Sequence, residues 1–337
     1  MDTAVASLIS KIEFGNPISF ESMTVIPLFV NSNGSHLDFL SLNEAIESKS
    51  LEITETSASG TVPFLLAKNF GEKPVVILEG EEIIGLKQNR ILNTTVVIKE
   101  KSETKIPVSC CESGRWGYRY PYTTSGTFVS SSNSKENEPV LPEIDSNSIA
   151  PALLRASKID QVTKHLREDK NYHSNQSEVW ALIDNYHNRL GTHSQTSALQ
   201  DAFEKKRIDI HTYVKSFPMM EKQKGVLVLF NGEPVGMDLF YSEKFYSKVH
   251  EKLIRGYSFD ATLVEKEAKE FDPIAVAKDF FDLILNSNET KHQSATYGWD
   301  IRYESDKIAG FSILYDNVVV HSAFFSLTQR GRPMIRY

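Results

Sequence analysis

Between Glu79 and Trp116 the chain concentrates side chains able to do chemistry. Glu79-Gly80-Glu81-Glu82 sets three carboxylates in one turn, and Glu112 follows further along. Carboxylates in such proximity can divide general-acid and general-base roles, or offer oxygen ligands to a divalent ion. Glu81 and Glu82, assisted by Glu112, are therefore the candidate catalytic set. Lys87-Gln88-Asn89-Arg90 lies between two apolar segments and forms a donor-rich patch suited to phosphate, carboxylate or base edges, with Arg90 offering a planar fork. Arg115 and Trp116 add a cation and a stacking face for a planar anionic ligand. The plain alternative is that these groups are solvent-facing hairpin ends, or internal salt bridges and caps.

Other chemistries fit less well. Cys110 and Cys111 are adjacent, so they neither frame disulfides nor supply spaced zinc ligands, and alternation along a strand predicts that only one of them points inward. His165, His173, His187, His193 and His211 show no compact ligand spacing, and the glycines near the carboxylates form neither a Walker loop nor a dinucleotide fingerprint. With 37 Lys+Arg against 44 Asp+Glu, the formal net charge of −7 argues against general nucleic-acid binding. No apolar run reaches membrane-spanning length and the start lacks a secretory pattern, so a cytoplasmic location is expected.

Strands must carry most of these groups. Short apolar runs predict strands at Thr24 to Val30, Leu51 to Thr54, Val62 to Ala67, Val75 to Leu78, Ile91 to Ile98 and Ile106 to Ser109. Ser41 with Glu44 predicts a capping box on one short helix. From Thr123 to Ser148 the Ser/Asn-rich composition predicts a flexible loop. Helical patterning runs from Ala150 to about Phe217; Val179, Leu182, Ile183, Tyr186 and Leu190 form one stripe, with Ser177 as the expected cap. Ala198 to Arg207 is a second helical stretch. Strands return at Gly225 to Phe230 and Val235 to Phe240 around an Asn231-Gly232 turn. Phe245, Val249 and Leu253 stripe the next helix, and Asp272-Pro273 starts another. A last hairpin joins Ile308 to Tyr315 with Val318 to Phe325. This order predicts an α+β fold: a β-rich N-terminal part, a helical middle, and a mixed C-terminal part packing on one sheet system.

On Glu79-Gly80-Glu81-Glu82, Gly85, Lys87-Gln88-Asn89-Arg90, Asn93, Pro107-Val108-Ser109-Cys110, Glu112, Gly114, Arg115 and Trp116, the sequence resembles the ARPP domain family, named for association with ADP-ribosylglycohydrolases and a rhodanese-phosphatase superfamily. Weaker agreement continues through Glu178-Val179-Trp180, Thr196-Ser197-Ala198 and the Gly232 to Phe240 hairpin. Cys111 and the insert near Ser130 depart from the pattern. The resemblance implies one domain over residues 12–327 and a setting in NAD or ADP-ribose metabolism; the tail at 328–337, with Arg330-Gly331-Arg332-Pro333, is basic by composition. The expected function is binding of a small anionic nucleotide-type ligand by Lys87, Gln88, Asn89, Arg90, Arg115 and Trp116. The alternatives are a hydrolase of that ligand, with Mg²⁺ as an allowed cofactor, and an interaction module without a small ligand.

Overall fold

The computed structural model describes residues 1–31, 37–57, 60–115, 146 and 148–328 of the 337-residue chain. Trp116, most of the Ser/Asn-rich stretch and the basic tail lie outside the described residues. Helix α1 (Thr3–Ile9) leads to β1 (Ile12–Phe14), β2 (Ile18–Phe20) and β3 (Met23–Val30). Next come β4 (Leu40–Ser41), α2 (Leu42–Glu47), β5 (Leu51–Glu55), β6 (Phe64–Asn69), β7 (Val75–Ile77), β8 (Glu82–Ile83), β9 (Arg90–Leu92), β10 (Val96–Ile98) and β11 (Ser102–Cys110). Four helices follow: α3 (Ala152–Glu168), α4 (Gln176–Leu190), α5 (Leu199–Lys205) and α6 (Arg207–Ser216). The last part contains β12 (Gln223–Phe230), β13 (Glu233–Phe240), α7 (Glu243–Ala261), α8 (Pro273–Leu285), β14 (Asn288–Gln293), β15 (Trp299–Glu304), β16 (Ile308–Tyr315) and β17 (Val318–Ser326). The fold is α+β.

Among the described residues the strands form three sheets. The largest has nine strands, ordered β1-β3-β12-β13-β17-β16-β15-β14 with β2 also on β3; the others run β10-β7-β4 and β5-β6-β11-β9-β8. Alternation along β12 explains how the large sheet is covered on both faces. Val226, Val228 and Phe230 join the core under α3 and α7, whereas Leu227 and Leu229 join a second core with Phe280, Phe281 and Ile284 of α8. A third core lies within the smaller sheets, around Ile83, Leu92, Val96 and Val108. No helix among the described residues is long and apolar enough to cross a membrane.

Local signals gave several boundaries. The capping box of Ser41 and Glu44 is present, Asp272 caps α8 ahead of Pro273, and Asn231 and Gly232 both take the positive φ angles of the expected turn. Two expectations need correction. The cap of α4 is Asn175, whose side chain accepts from the backbone N–H of Ser177 and Glu178; Ser177 is already inside the helix. The Ile91 to Ile98 run is two strands, because Asn93, Thr94 and Thr95 turn their side chains to three different partners and the chain passes from one sheet to another.

Candidate functional site

Register decides where the sequence-predicted groups go. Glu82 pairs with Ile91 and Ile83 with Arg90 across β8 and β9, while Cys110 of β11 pairs with Arg90. Side chains alternate, so neighbours in the polar run face opposite sides of this small sheet. Arg90 is fully buried on the side of Ile83 and Leu92: its Nη1 donates to Gln88 Oε1 at 3.2 Å, and its Nη2 lies 3.9 Å from Glu55. The Lys87 backbone N–H bonds Glu55 as well, and the Lys87 side chain is half-buried.

The opposite side carries the cluster that could do chemistry. Asn89 donates from its side chain to Glu82 Oε1 at 3.3 Å and from its backbone to Glu112 Oε2 at 3.2 Å, so one residue joins both carboxylates. Ser148 Oγ donates to Glu82 Oε2 at 2.7 Å, and Cys111 Sγ to Glu82 Oε1 at 3.4 Å. Arg115 grips Glu112 through Nε at 3.0 Å and Nη2 at 2.6 Å, and also donates to the Leu86 carbonyl and to Asn89 Oδ1. The Thr196 carbonyl holds the turn beneath Arg115 by accepting from Ser113 and Gly114. Glu82, Asn89 and Glu112 have no exposure, whereas Arg115 and Lys87 reach toward solvent.

The two acids behave differently. Burial pushes Glu82 up, and the neighbouring Glu112 charge adds to that rise, against hydrogen bonds from Ser148, Cys111 and Asn89. Burial pushes Glu112 up too, but bonds from Arg115 and Thr196, with the Arg115 charge, outweigh it and leave Glu112 below the usual carboxylate range. Glu81 does not join this pair; it accepts from the Leu78 backbone N–H and bonds Lys252 of α7. The cysteines do alternate, Cys110 beside Arg90 and Cys111 toward Glu82, but both faces of this small sheet are covered, so both are fully buried where only one was expected to point inward. β11 ends at Cys110, and Cys111 enters the core beneath α3 to α5. Burial raises both thiols, Cys110 to about 11, which makes them poor nucleophiles. Among the described residues no three His, Cys, Asp or Glu side chains gather as a metal-ligand set.

Sequence reasoning missed the groups behind this cluster. Arg155 of α3 bonds Glu79 Oε2 at 2.8 Å and holds Asp238 with two bonds, at 2.7 and 3.0 Å. Asp238 also accepts from Tyr257 at 2.8 Å, and lies 3.0 Å from Nε2 of His321, whose Nδ1 is 2.7 Å from Thr95 Oγ1. Gly80 lets Arg155 pass: its φ is +79, and a Cβ there would meet the arginine side chain at 3.0 Å. Lys158, one turn beyond Arg155 and fully buried, is drawn down to about 8 by burial, with the Glu79 charge opposing. Isolated charges inside apolar runs, such as Asp238 and His321 in their strands, were the available signal.

The family model for the ARG and Rhodanese-Phosphatase-superfamily-associated Protein domain, ARPP-1, matches residues 11–325, nearly the whole chain. No curated protein and no solved structure matches it.

Proposed function

Because the chain belongs to the ARPP-1 family, whose description carries a loose link to ADP-ribose-related proteins, we propose that the Glu82 cluster binds an anionic nucleotide-type ligand related to ADP-ribose or NAD, in a cytoplasmic pathway linked to those compounds. The observation that carries this reading is the gathering of Glu82 and Asn89 with Glu112 and Arg115, from two separate stretches, into one polar cluster that reaches solvent at Arg115. In it, Arg115 pairs with phosphates at the rim, Lys87 adds its charge from the neighbouring loop, and Asn89 reads a polar edge deeper in. Arg90 and Gln88 act from the reverse side by tying β9 to Glu55.

Isothermal titration of the purified protein with ADP-ribose, NAD, ATP and inorganic phosphate, each with and without Mg²⁺, tests it. Saturable binding of ADP-ribose or NAD is expected, weakened at least about tenfold, or about 1.4 kcal/mol, in Arg115→Ala and in Lys87→Ala. Binding of none of these ligands would instead favour an interaction module held together by internal salt bridges.

A second reading, hydrolysis of the same ligand, is favoured by the split between the two acids. Neighbouring carboxyls pushed in opposite directions suit division into a protonated acid and an ionised base. Chromatography of the incubated mixtures should then show a product that disappears in Glu82→Gln while affinity persists.

A further inference from the structure

Trp299 is a large aromatic side chain left 46% exposed, and it does not stand alone on a convex surface. It lines a cavity of about 450 Å³ together with Asp2, Thr3, Leu314, Asp316 and Asn317. That volume falls among those of small-molecule sites, roughly 300 to 1,000 Å³. Trp299 lies on the side of β15 that sends Ile301 and Tyr303 into the core with α8, and Leu314, its cross-strand partner on β16, belongs to the same core. The backbone is built to hold it there. Gly298 takes a φ of +89 and runs so close to β16 that a Cβ would come 2.0 Å from the Leu314 carbonyl oxygen, so only glycine fits ahead of Trp299. Asp2 caps α1 by accepting from the Ala4 N–H at 3.0 Å and pairs with Lys291 at 3.1 Å. The Lys291 ammonium in turn lies 5.0 Å from the centre of the Trp299 ring. Asp316 and Asn317 are exposed in the β16–β17 turn, both at positive φ.

The lining selects a class of ligand. An indole face is electron-rich and attracts positive charge, as it does the Lys291 ammonium. Asp2 and Asp316 against Lys291 leave the lining negative, which disfavours phosphate esters. The carboxylate of Asp316, the amide of Asn317 and the hydroxyl of Thr3 all exchange hydrogen bonds with neutral hydroxyls. Trp299 is the one aromatic among the described residues of the lining, so a nucleobase finds no second ring to sandwich it. A neutral saccharide meets each demand: its ring presents weakly positive C–H groups to the indole, and its edge presents hydroxyls that both donate and accept. We propose that this cavity binds a neutral saccharide, with Trp299 as the stacking platform and Asp316 and Asn317 reading hydroxyls. The site shares no residue with the Glu82 cluster and stands whether or not that cluster binds a nucleotide.

Nitrogen–proton correlation NMR of the full chain tests it, during titration with the methyl glycosides of glucose, galactose, mannose and N-acetylglucosamine and with adenosine as the planar control. At least one glycoside should saturably shift the Trp299 indole signal, identified by its absence in Trp299→Ala, and the backbone signals of Asp316 and Asn317. In Trp299→Ala, with the rest of the spectrum unchanged, the two backbone signals should no longer respond. Asp316→Gly suits the positive φ and removes the carboxylate, so it gives an independent arm: the glycoside should bind at least about tenfold more weakly. If no glycoside moves these signals, or if Trp299→Ala and Asp316→Gly both bind as the wild type does, the site is overturned. Tighter binding of adenosine than of every glycoside would overturn the saccharide class.

Discussion

Glu82 and Glu112 share Asn89 yet differ in their surroundings, chiefly because Arg115, with help from Thr196, holds Glu112. Arg115 pairs with Glu112, whereas the bonds that hold Glu82 come from Ser148, Cys111 and Asn89. A carboxyl lowered in the folded state contributes stability above the unfolded carboxyl range, about pH 4.3, and loses it as pH falls through the folded value. Arg115→Ala should remove that contribution and strand a buried carboxylate. The cost near pH 7 should be about 2 kcal/mol, below the usual range for a fully buried pair because Arg115 keeps some exposure. Urea unfolding from pH 3 to pH 8 should show the gap between variant and wild type open above about pH 5 and narrow below about pH 4. A gap independent of pH would mean that the arginine acts by packing alone.

At the scale of elements, three helices meet on one acid. Asp260 in the last turn of α7 accepts from Tyr186 of α4 at 2.9 Å and from the backbone N–H of Leu153 in the first turn of α3 at 3.1 Å. Burial raises it to about 7, outweighing those bonds and the Arg189 charge. The folded state then binds a proton that the unfolded chain has released, so stability should fall as pH rises from about 4 to about 7 and level off above. Asp260→Asn should flatten that part of the pH–stability curve, as read by thermal unfolding in buffers of matched ionic strength. How legible these elements were follows from the range of the forces that set them. Turns and caps such as Asn231-Gly232 and Ser41 with Glu44 are decided within a few residues, so the sequence shows them directly. The division of Ile91 to Ile98 depends on which distant strand each half pairs with, and no local pattern records that. The same holds for the site: the Glu79 to Arg115 cluster of residue types was visible, but its division between two sheet faces followed from register. Arg155 and Lys158 escaped notice because α3 is covered on most sides, leaving no polar face against which a buried charge stands out.

Across the whole molecule, the Arg155 network connects the large sheet to the smaller ones, where Val76 and Val97 already pack in one core with Val226 and Val228. Arg155 links α3 to Glu79 ahead of β8 and to Asp238 of β13, and Asp238 carries the link to Tyr257 of α7 and His321 of β17. The large sheet and the smaller sheets therefore share one desolvated set of charges at their junction. Burial alone would raise Asp238, but the Arg155 charge and bonds from His321 and Arg155 hold it well below the usual carboxylate range. Burial would lower Arg155, and the Asp238 and Glu79 charges reverse that. Such groups stabilise one another only as a set, since removing one partner leaves an uncompensated charge in the interior. Arg155→Met keeps much of the side-chain volume and strands both carboxylates, so it should cost about 3 to 5 kcal/mol in urea unfolding at pH 7. Adding Asp238→Asn should restore part of that loss, because one of the two stranded charges is gone; the two effects should be far from additive. Equal and independent costs would show that the charges are separate contacts, and that the sheets are joined by apolar packing alone.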